Sequence, residues 1–259
     1  MKALKHIYLA WLALLLAAVS FTGCYPHRAV GLLQDRDKLP HYDSVAYQPY
    51  RLHVNDEIVY RVITLDETLA KTLAVNSSSA NNYNSQYAYT YRIYSDGTVD
   101  LPFLPPIHLE GLTELEAQDT VKKYMRELIP DAEIKLALYN KQFTVLGDIS
   151  SGVRYIYKER MTIYQALAMT GDLMNSADRK HVRIIRPHGN GEPEILEFDI
   201  RTNTLIDSKY YYIYPNDLIY VSREKASFFK QETYPAFLGL ITSSVALLIT
   251  VLNYIPGAH

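Results

Sequence analysis

Residues with side chains capable of catalysis are scattered through this sequence of 259 residues and form no pattern typical of an active site. The eight histidines are dispersed, and His108-Leu109-Glu110 lacks the second histidine of a metal-binding helix. No glycine-rich phosphate loop follows a predicted strand. We therefore predict that the protein is not an enzyme, and that it has no catalytic residue, no metal site and no cofactor.

The aspartates with the most distinctive neighbours lie at predicted turns. Asn55-Asp56 and Asn216-Asp217 each precede alternating apolar residues, and Asp96-Gly97 forms a third turn. Asparagine tolerates a positive φ, and an aspartate in a turn usually accepts hydrogen bonds from nearby backbone amides. We therefore predict structural turn roles for Asn55, Asp56, Asp96, Gly97, Asn216 and Asp217.

A cluster of basic residues follows Gly171 and consists of Arg179, Lys180, Arg183 and Arg186. It is either a solvated strand face or a contact surface for a neighbouring subunit or an acidic polymer. The whole chain has a formal net charge of −2, so its composition argues against a nucleic-acid partner.

Cys24 is the single cysteine, and it follows a segment typical of export. Lys2 and Lys5 precede an apolar run over residues 7–19, which has the length of a signal-peptide core and is too short to span a membrane. Residues 21–24 read Phe-Thr-Gly-Cys, which resembles the lipobox of bacterial lipoproteins. We predict a signal peptide over residues 1–23 and acylation of Cys24, with a buried or incidental thiol as the alternative. Tyr25, rather than aspartate, follows Cys24 and favours the outer membrane.

A second apolar run, residues 237–255, lies near the C-terminus and contains no charged residue. As a helix it would be about 28 Å long, which matches a hydrocarbon core of about 30 Å. We predict a transmembrane helix here, and a helix buried in a soluble assembly is the alternative. Small and polar residues recur on one face, as expected for close helix packing or a wet lumen. This stripe consists of Gly239, Ser243, Ala246, Thr250 and Asn253.

Between these two membrane elements the hydrophobic pattern predicts two units of mixed helices and strands. In the first, residues 50–63 read as a strand, a tight turn and a second strand. A helix then begins after Thr113 and ends before Pro130, and a strand follows over residues 134–138. We expect this helix to bury Leu115, Val121, Met125 and Leu128.

The second unit begins at Gln142 with a strand over residues 143–147. Thr162 caps a helix that ends at Gly171, and residues 182–185 and 195–198 form strands around a hairpin turn. The unit closes at Asn216-Asp217, which echoes the corner at Asn55-Asp56. The fold class predicted for the chain is therefore α+β.

The order of three short motifs resembles the bacterial outer-membrane polysaccharide export family, the capsule and exopolysaccharide translocon lipoproteins. Residues 50–58 match a Tyr-x-Leu-x-x-Gly-Asp-x-Ile corner, with Asn55 in place of the usual glycine. Residues 96–102 match Asp-Gly-x-x-x-Leu-Pro, and residues 111–113 match a Gly-Leu-Thr helix entry. The family's usual glycine pair in the second unit is reduced to Gly171-Asp172.

The resemblance implies a division of the chain into functional segments. After the signal peptide, residues 24–48 would be a tether, residues 49–141 the polysaccharide export domain, and residues 142–222 one β-grasp ligand-binding module of the SLBB type. Residues 223–259 would be a linker and the transmembrane helix.

The resemblance also implies a function and partners. Subunits would form a homo-oligomeric ring in the periplasm, and their C-terminal helices a barrel through the outer membrane that exports polysaccharide. The implied inner-membrane partner is a chain-length regulator or a tyrosine autokinase. Two alternatives stay open: a monomeric periplasmic lipoprotein that binds glycan without a pore, and a periplasmic enzyme with a degenerate site. Some turn aspartates, with Asp148 among them, could then contact glycan instead of backbone.

Overall fold

The computed structural model describes residues 30–66, 68–69, 90–188, 191–224, 239, 241–247 and 249–250. The predicted signal peptide, Cys24 and Asn253 lie outside these residues. The described chain forms two lobes, and each lobe has its own buried apolar cluster. Both lobes mix strands with helix, so the α+β expectation agrees with the observed secondary structure.

The first lobe is built around a three-stranded antiparallel sheet in the order β2-β1-β5. Strand β1 (Glu57–Ile63) pairs with the short β2 (Tyr91–Arg92) and, along nearly its whole length, with β5 (Glu133–Leu138). Alternate residues of β5 are buried, as its apolar period predicts. A two-stranded ladder of β3 (Thr98–Val99) and β4 (Ile107–His108) adds Val99 and Ile107 to the same core.

Helix α1 (Glu114–Leu128) packs on this sheet and begins at a capping box. The Thr113 side chain accepts from the Glu116 backbone N–H, and the Glu116 carboxylate accepts from the Thr113 N–H. The buried stripe is Ala117, Val121 and Met125. The expectation that Leu115 and Leu128 are also buried is wrong, since their exposed fractions are 67% and 57%. Leu115 lies about 160° around the helix from Ala117, away from the sheet.

The prediction of a strand, a tight turn and a second strand over residues 50–63 is wrong for the segment before β1. Leu52 is buried, but its backbone bonds to the loop that enters α1 and not to β1. The Leu52 N–H donates to the Leu112 carbonyl, and the Gly111 N–H donates to the Leu52 carbonyl. The turn at Asn55 therefore joins β1 to a segment on the helical side of the lobe.

The second lobe has five strands and one short helix. The strands are β6 (Gln142–Gly147), β7 (Gly152–Tyr155), β8 (Ala177–Arg186), β9 (Glu194–Phe198) and β10 (Leu218–Arg223). Helix α2 (Ile163–Met169) lies between β7 and β8 and begins at a capping box of Thr162 and Gln165. A 3₁₀ turn (Asn203–Leu205) precedes β10.

The strand order of this lobe is β7-β6-β10-β8-β9, in which β10 runs parallel to β6 and the other neighbours are antiparallel. The first and last strands of this lobe, β6 and β10, therefore pair in parallel within the sheet. One face of the sheet, with Phe143, Val145, Ile184 and Ile219, forms the core of the lobe.

Residues 31–48, named the N-terminal strap below, lie within the predicted tether and contact the second lobe. Leu32 and Tyr42 pack against the core of the second lobe. The Tyr42 hydroxyl accepts from the Asp199 N–H at 2.8 Å, and the Val45 N–H donates to the Asp207 carbonyl at 2.8 Å. The strap therefore runs along the second lobe before the chain enters the first.

The C-terminal prediction falls only partly within the described residues. Residues 241–247 are helical. No helix in the described portion of the chain has both the length and the apolar character needed to cross a membrane. Gly239, Ser243, Ala246 and Thr250 of the predicted stripe are described, and the Thr250 hydroxyl donates to the Ala246 carbonyl at 2.9 Å.

Candidate functional site

The two Asn-Asp corners have the same backbone geometry although 161 positions separate them. At the first corner Asn55 has φ of 70°, and the Asp56 N–H donates to the His53 carbonyl at 3.1 Å. The Asp56 side chain in turn accepts from the His53 N–H at 2.8 Å. The aspartate thus closes the turn through both its backbone and its carboxylate.

The second corner repeats each of these features. Asn216 has φ of 67°, and the Asp217 N–H donates to the Tyr214 carbonyl at 3.2 Å. The Asp217 carboxylate accepts from the Tyr214 N–H at 2.8 Å. Pro215 precedes Asn216, and a proline before a residue with positive φ is typical of a type II turn.

The structure brings the two corners together at the junction of the lobes. The Asn216 side-chain amide donates to Asp56 Oδ1 at 3.2 Å. The Tyr50 hydroxyl donates to Asp56 Oδ2 at 2.8 Å and lies 3.0 Å from His53 Nδ1. Asp56 is only 1% exposed, so the carboxylate that closes one turn also anchors the neighbouring lobe.

Arg186 completes the same cluster from the second lobe. Its guanidinium binds the Asp217 carboxylate through two N–H groups, each at 2.9 Å, and donates to the Tyr212 carbonyl at 3.2 Å. Its central carbon also lies 4.3 Å from the centre of the Tyr214 ring. Asp217 is fully buried, so this bidentate pair supplies the partner that a buried carboxylate requires.

Burial shifts the pKa values of the carboxyl and phenol groups at the junction. It raises the pKa of the Asp56 carboxyl, although hydrogen bonds from the His53 N–H and the Tyr50 hydroxyl oppose the shift. Burial also raises the pKa of Asp217 against the opposing effect of Arg186. The pKa of the Tyr50 phenol is raised by burial and by the adjacent Asp56, and burial raises that of Tyr47 to about 12. The tyrosines therefore remain neutral donors at physiological pH.

Four tyrosines surround this cluster: Tyr47, Tyr50, Tyr212 and Tyr214. The Tyr47 and Tyr214 rings are nearly parallel, with centres 6.1 Å apart, and Tyr50 stacks on Tyr214 at 6.5 Å. The Tyr212 and Tyr47 rings form a T-shaped pair with their centres 5.0 Å apart. The guanidinium of Arg160 lies over the Tyr47 ring, 4.7 Å from its centre. The strap, the first corner and the second corner thus meet through aromatic contacts.

Cavities lie on either side of this group of rings. One, of about 490 Å³, separates the lobes and is lined by Leu115 and Gln118 of α1 and by Ile156 and Ile213 of the second lobe. The other, of about 310 Å³, is bounded by the strap, the first corner and the second lobe. Tyr47, Tyr50 and Tyr214 line both cavities. Exposed Leu115 therefore faces the cleft between the lobes and not open solvent alone.

The predicted basic cluster does not form one surface. Arg179 is 7% exposed and donates to the backbone carbonyls of Leu173, Met174 and Ala177. Arg186 belongs to the junction described above. Arg183 is exposed and bonds to Glu197 at 2.6 Å on the neighbouring strand, and Lys180 is exposed. Lys180 and Arg183 are therefore exposed, whereas Arg186 lines the cavity beside the strap.

The third predicted turn lies in the first lobe, apart from the junction. Asp96 accepts from both the N–H and the hydroxyl of Thr98, and these bonds lower its pKa. Gly97 has φ of 78°, and a side chain there would lie 2.3 Å from the ring of His108. Of the six turn residues, the structure thus brings Asn55, Asp56, Asn216 and Asp217 together and leaves Asp96 and Gly97 elsewhere.

Sequence reasoning did not single out Tyr47, Tyr50, Tyr212 or Tyr214 as site residues. The available signal was the abundance of tyrosine, 23 against seven phenylalanines, and the aromatic residues beside each Asn-Asp corner. Spacing along the chain could not indicate that residues near 50 and near 214 share one cluster. Among the described residues, no group of three or more histidine, cysteine, aspartate or glutamate side chains could hold a metal ion.

A comparison with protein families found a match to the first lobe. Residues 44–138 match the family described as polysaccharide biosynthesis/export protein. The matched residues begin in the strap and end at the last residue of β5, so they cover the whole first lobe. The match confirms the resemblance of this part of the chain to the polysaccharide export family. That family consists of export proteins and not of enzymes.

Proposed function

We propose that this protein is an oligomeric outer-membrane lipoprotein that forms a conduit for capsular polysaccharide or exopolysaccharide from the periplasm to the cell surface. The observation that carries the proposal is the match of the whole first lobe to the polysaccharide export family. The lipobox-like residues 21–24 and the apolar residues 237–255 supply the two membrane attachments that such a conduit needs.

Each segment has a role in this proposal. Cys24 is acylated and holds the strap at the outer membrane, so that both lobes remain in the periplasm. Residues 237–255 cross the membrane, and their stripe of small and polar residues faces the lumen or a neighbouring helix. Residues 142–222 act as a ligand-binding module of the SLBB type. The exposed Lys180 and Arg183 remain candidates for contact with a subunit or an acidic polymer.

The geometry of the junction is compatible with a subunit of a ring. The hydrogen bond from Asn216 to Asp56 joins the lobes, and the Tyr214 hydroxyl also donates to the Gln48 carbonyl of the strap at 2.7 Å. A subunit that holds its two lobes in a fixed relation presents constant surfaces to its neighbours. In the cell, the ring would receive polymer from an inner-membrane chain-length regulator or tyrosine autokinase.

The test compares the full chain with a variant that lacks residues 237–259. We expect the full chain, extracted in detergent, to run many times above its 29.7 kDa mass and to restore surface polysaccharide to a deletion strain. The truncated variant should remain acylated at Cys24 but export nothing. A monomeric full chain, or normal surface staining with the truncated variant, would contradict the proposed conduit.

A second candidate function is a monomeric periplasmic lipoprotein that binds glycan without forming a pore. The aromatic cavity at the lobe junction favours it as much as it favours the conduit, because either protein would contact sugar. The size of the detergent-extracted particle separates them, since only the conduit requires many copies.

A further inference from the structure

The cavity of about 310 Å³ beside the two Asn-Asp corners is named the tyrosine pocket here. We propose that it binds a saccharide unit of the exported polymer, with the sugar ring stacked on tyrosine. The substrate class in this inference rests on the function proposed above. The volume lies in the range of cavities that hold small ligands, which begins at about 300 Å³.

The tyrosine hydroxyls are engaged within the protein. The guanidinium groups of Arg160 and Arg186 lie over the Tyr47 and Tyr214 rings, so Tyr212 is the ring on which the sugar would stack. Tyr47 donates to the Glu159 carbonyl at 3.1 Å, and Tyr212 donates to Asp207 at 2.9 Å. Tyr50 and Tyr214 donate to Asp56 and to the Gln48 carbonyl. These bonds hold the rings in place before any ligand binds, which reduces the entropy lost on binding.

Polar side chains complete the lining in a way that suits a sugar. His53, Arg186, His188, Glu194 and Lys209 all line the same cavity. A pyranose presents C–H groups on its faces and hydroxyls around its edge. Aromatic faces can pack against the former, while histidine, glutamate and lysine side chains can exchange hydrogen bonds with the latter. Arg186 is already bound to Asp217, and His188 Nε2 lies 3.5 Å from Glu194 Oε2, so hydroxyls of a sugar would add to these contacts.

The group of rings joins the lobes and also lines a groove that is open to solvent. Here Tyr47, Tyr50 and Tyr214 contact one another, yet an open cavity remains against Tyr212 and the strap. The rings are therefore arranged around a space.

The experiment measures binding of a defined probe to the full chain in detergent by isothermal titration calorimetry. The probe is a size-fractionated partial acid hydrolysate of the cell's own surface polysaccharide. Tyr212→Leu removes a ring face and should weaken binding about tenfold, whereas Tyr212→Phe keeps the face and should bind within about twofold of the original chain. The contrast between Leu and Phe isolates the ring from its hydroxyl.

Tyr155→Leu is the matched control, because Tyr155 is 69% exposed and lies outside the pocket lining. It should bind like the original chain, and thermal unfolding of all three variants should confirm that each is folded. Lys209→Ala, which alters the polar side of the pocket, should weaken binding without affecting the fold.

The inference is overturned if the original chain does not bind the hydrolysate, if Tyr212→Leu and Tyr212→Phe bind equally well, or if Tyr155→Leu weakens binding as much as Tyr212→Leu. Any of these results would leave the proposed conduit intact as long as the full chain still restores surface polysaccharide. Loss of that complementation is a separate result and bears on the proposed function alone.

Discussion

Asn55 occupies a backbone conformation that few side chains adopt without strain, with φ of 70°. Glycine accepts such a φ freely, and a β-branched side chain does not. We expect Asn55→Gly to be neutral or slightly stabilising, and Asn55→Val to lower the free energy of unfolding by about 1–2 kcal/mol. Chemical denaturation of the two variants measures the difference. Equal stability of the glycine and valine variants would contradict a strained turn at this position.

Cys24 is the predicted site of acylation. If acylation of Cys24 anchors the chain, Cys24→Ala should abolish incorporation of labelled palmitate and leave unprocessed precursor. Phe21→Leu brings the preceding residues closer to the common lipobox and serves as a control that should keep the label. Label on the Cys24→Ala protein would show that another residue carries the lipid.

At the scale of elements, the C-terminal residues 237–255 present a stripe of small and polar residues beside an apolar remainder. In a ring of helices a charge facing the lumen keeps its hydration, whereas a charge facing lipid costs about 2.5–3.5 kcal/mol per helix. We therefore expect Thr250→Lys to reach the outer membrane with altered export, and Leu248→Lys to fail to insert. Membrane fractionation with surface polysaccharide staining tests both variants.

These two lysine variants differ in position by two residues and carry the same charge, so each is a control for the other. If both insert and export equally well, the stripe has no lumenal role. The proposed conduit would then lose its transmembrane element, and the glycan-binding lipoprotein would be the better description of the protein.

At the scale of the whole molecule, the hydrogen bond from Asn216 to Asp56 is expected to couple the two lobes, and removing it tests this coupling. Asn216→Gly keeps the positive φ and removes the amide that donates to Asp56. A hydrogen bond to a charged group contributes about 1.5–3 kcal/mol, so we expect a loss of that order in the free energy of unfolding. Asn55→Gly, at the equivalent position of the other corner, is the matched control. Equal effects of the two glycine variants on denaturation would show that the bond does not couple the lobes.

The raised pKa values of the buried tyrosines predict a loss of folding stability at alkaline pH. Burial raises the pKa of Tyr47 and of Tyr60 from 10.0 to about 12, and the pKa of Tyr50 is raised as well. Above pH 10 the unfolded chain loses phenolic protons that the folded chain retains, so stability should fall as pH rises from 10 towards 12. Below pH 10 these groups should contribute no pH dependence.

Melting temperature measured across this pH range checks the alkaline prediction. Tyr47→Phe removes one group with a raised pKa and should flatten the decline, whereas Tyr155→Phe on the exposed sheet face should not. A decline of equal slope in the original chain and in Tyr47→Phe would mean that the buried phenol of Tyr47 does not resist ionisation.

Signals that act within a few residues could be read from the sequence because their physics is local. The capping boxes at Thr113 and Thr162 are present in the structure, since each needs only a hydroxyl and a Glu or Gln three residues later. The alternation in β5 and the asparagines at positive φ are local in the same sense. These features predicted the secondary structure of both lobes closely enough to place the family motifs.

Tertiary structure alone decided which distant segments meet, because contacts between segments far apart in sequence leave no periodic signal in either one. It paired Leu52 with the entry of α1 and not with β1, and it placed the strap on the second lobe. It divided the basic cluster by binding Arg179 to backbone carbonyls and Arg186 to Asp217, while Lys180 and Arg183 are exposed. It also brought the Asn216 amide to the Asp56 carboxylate, and with them the tyrosines that surround the pocket, because a buried carboxylate requires hydrogen-bond donors.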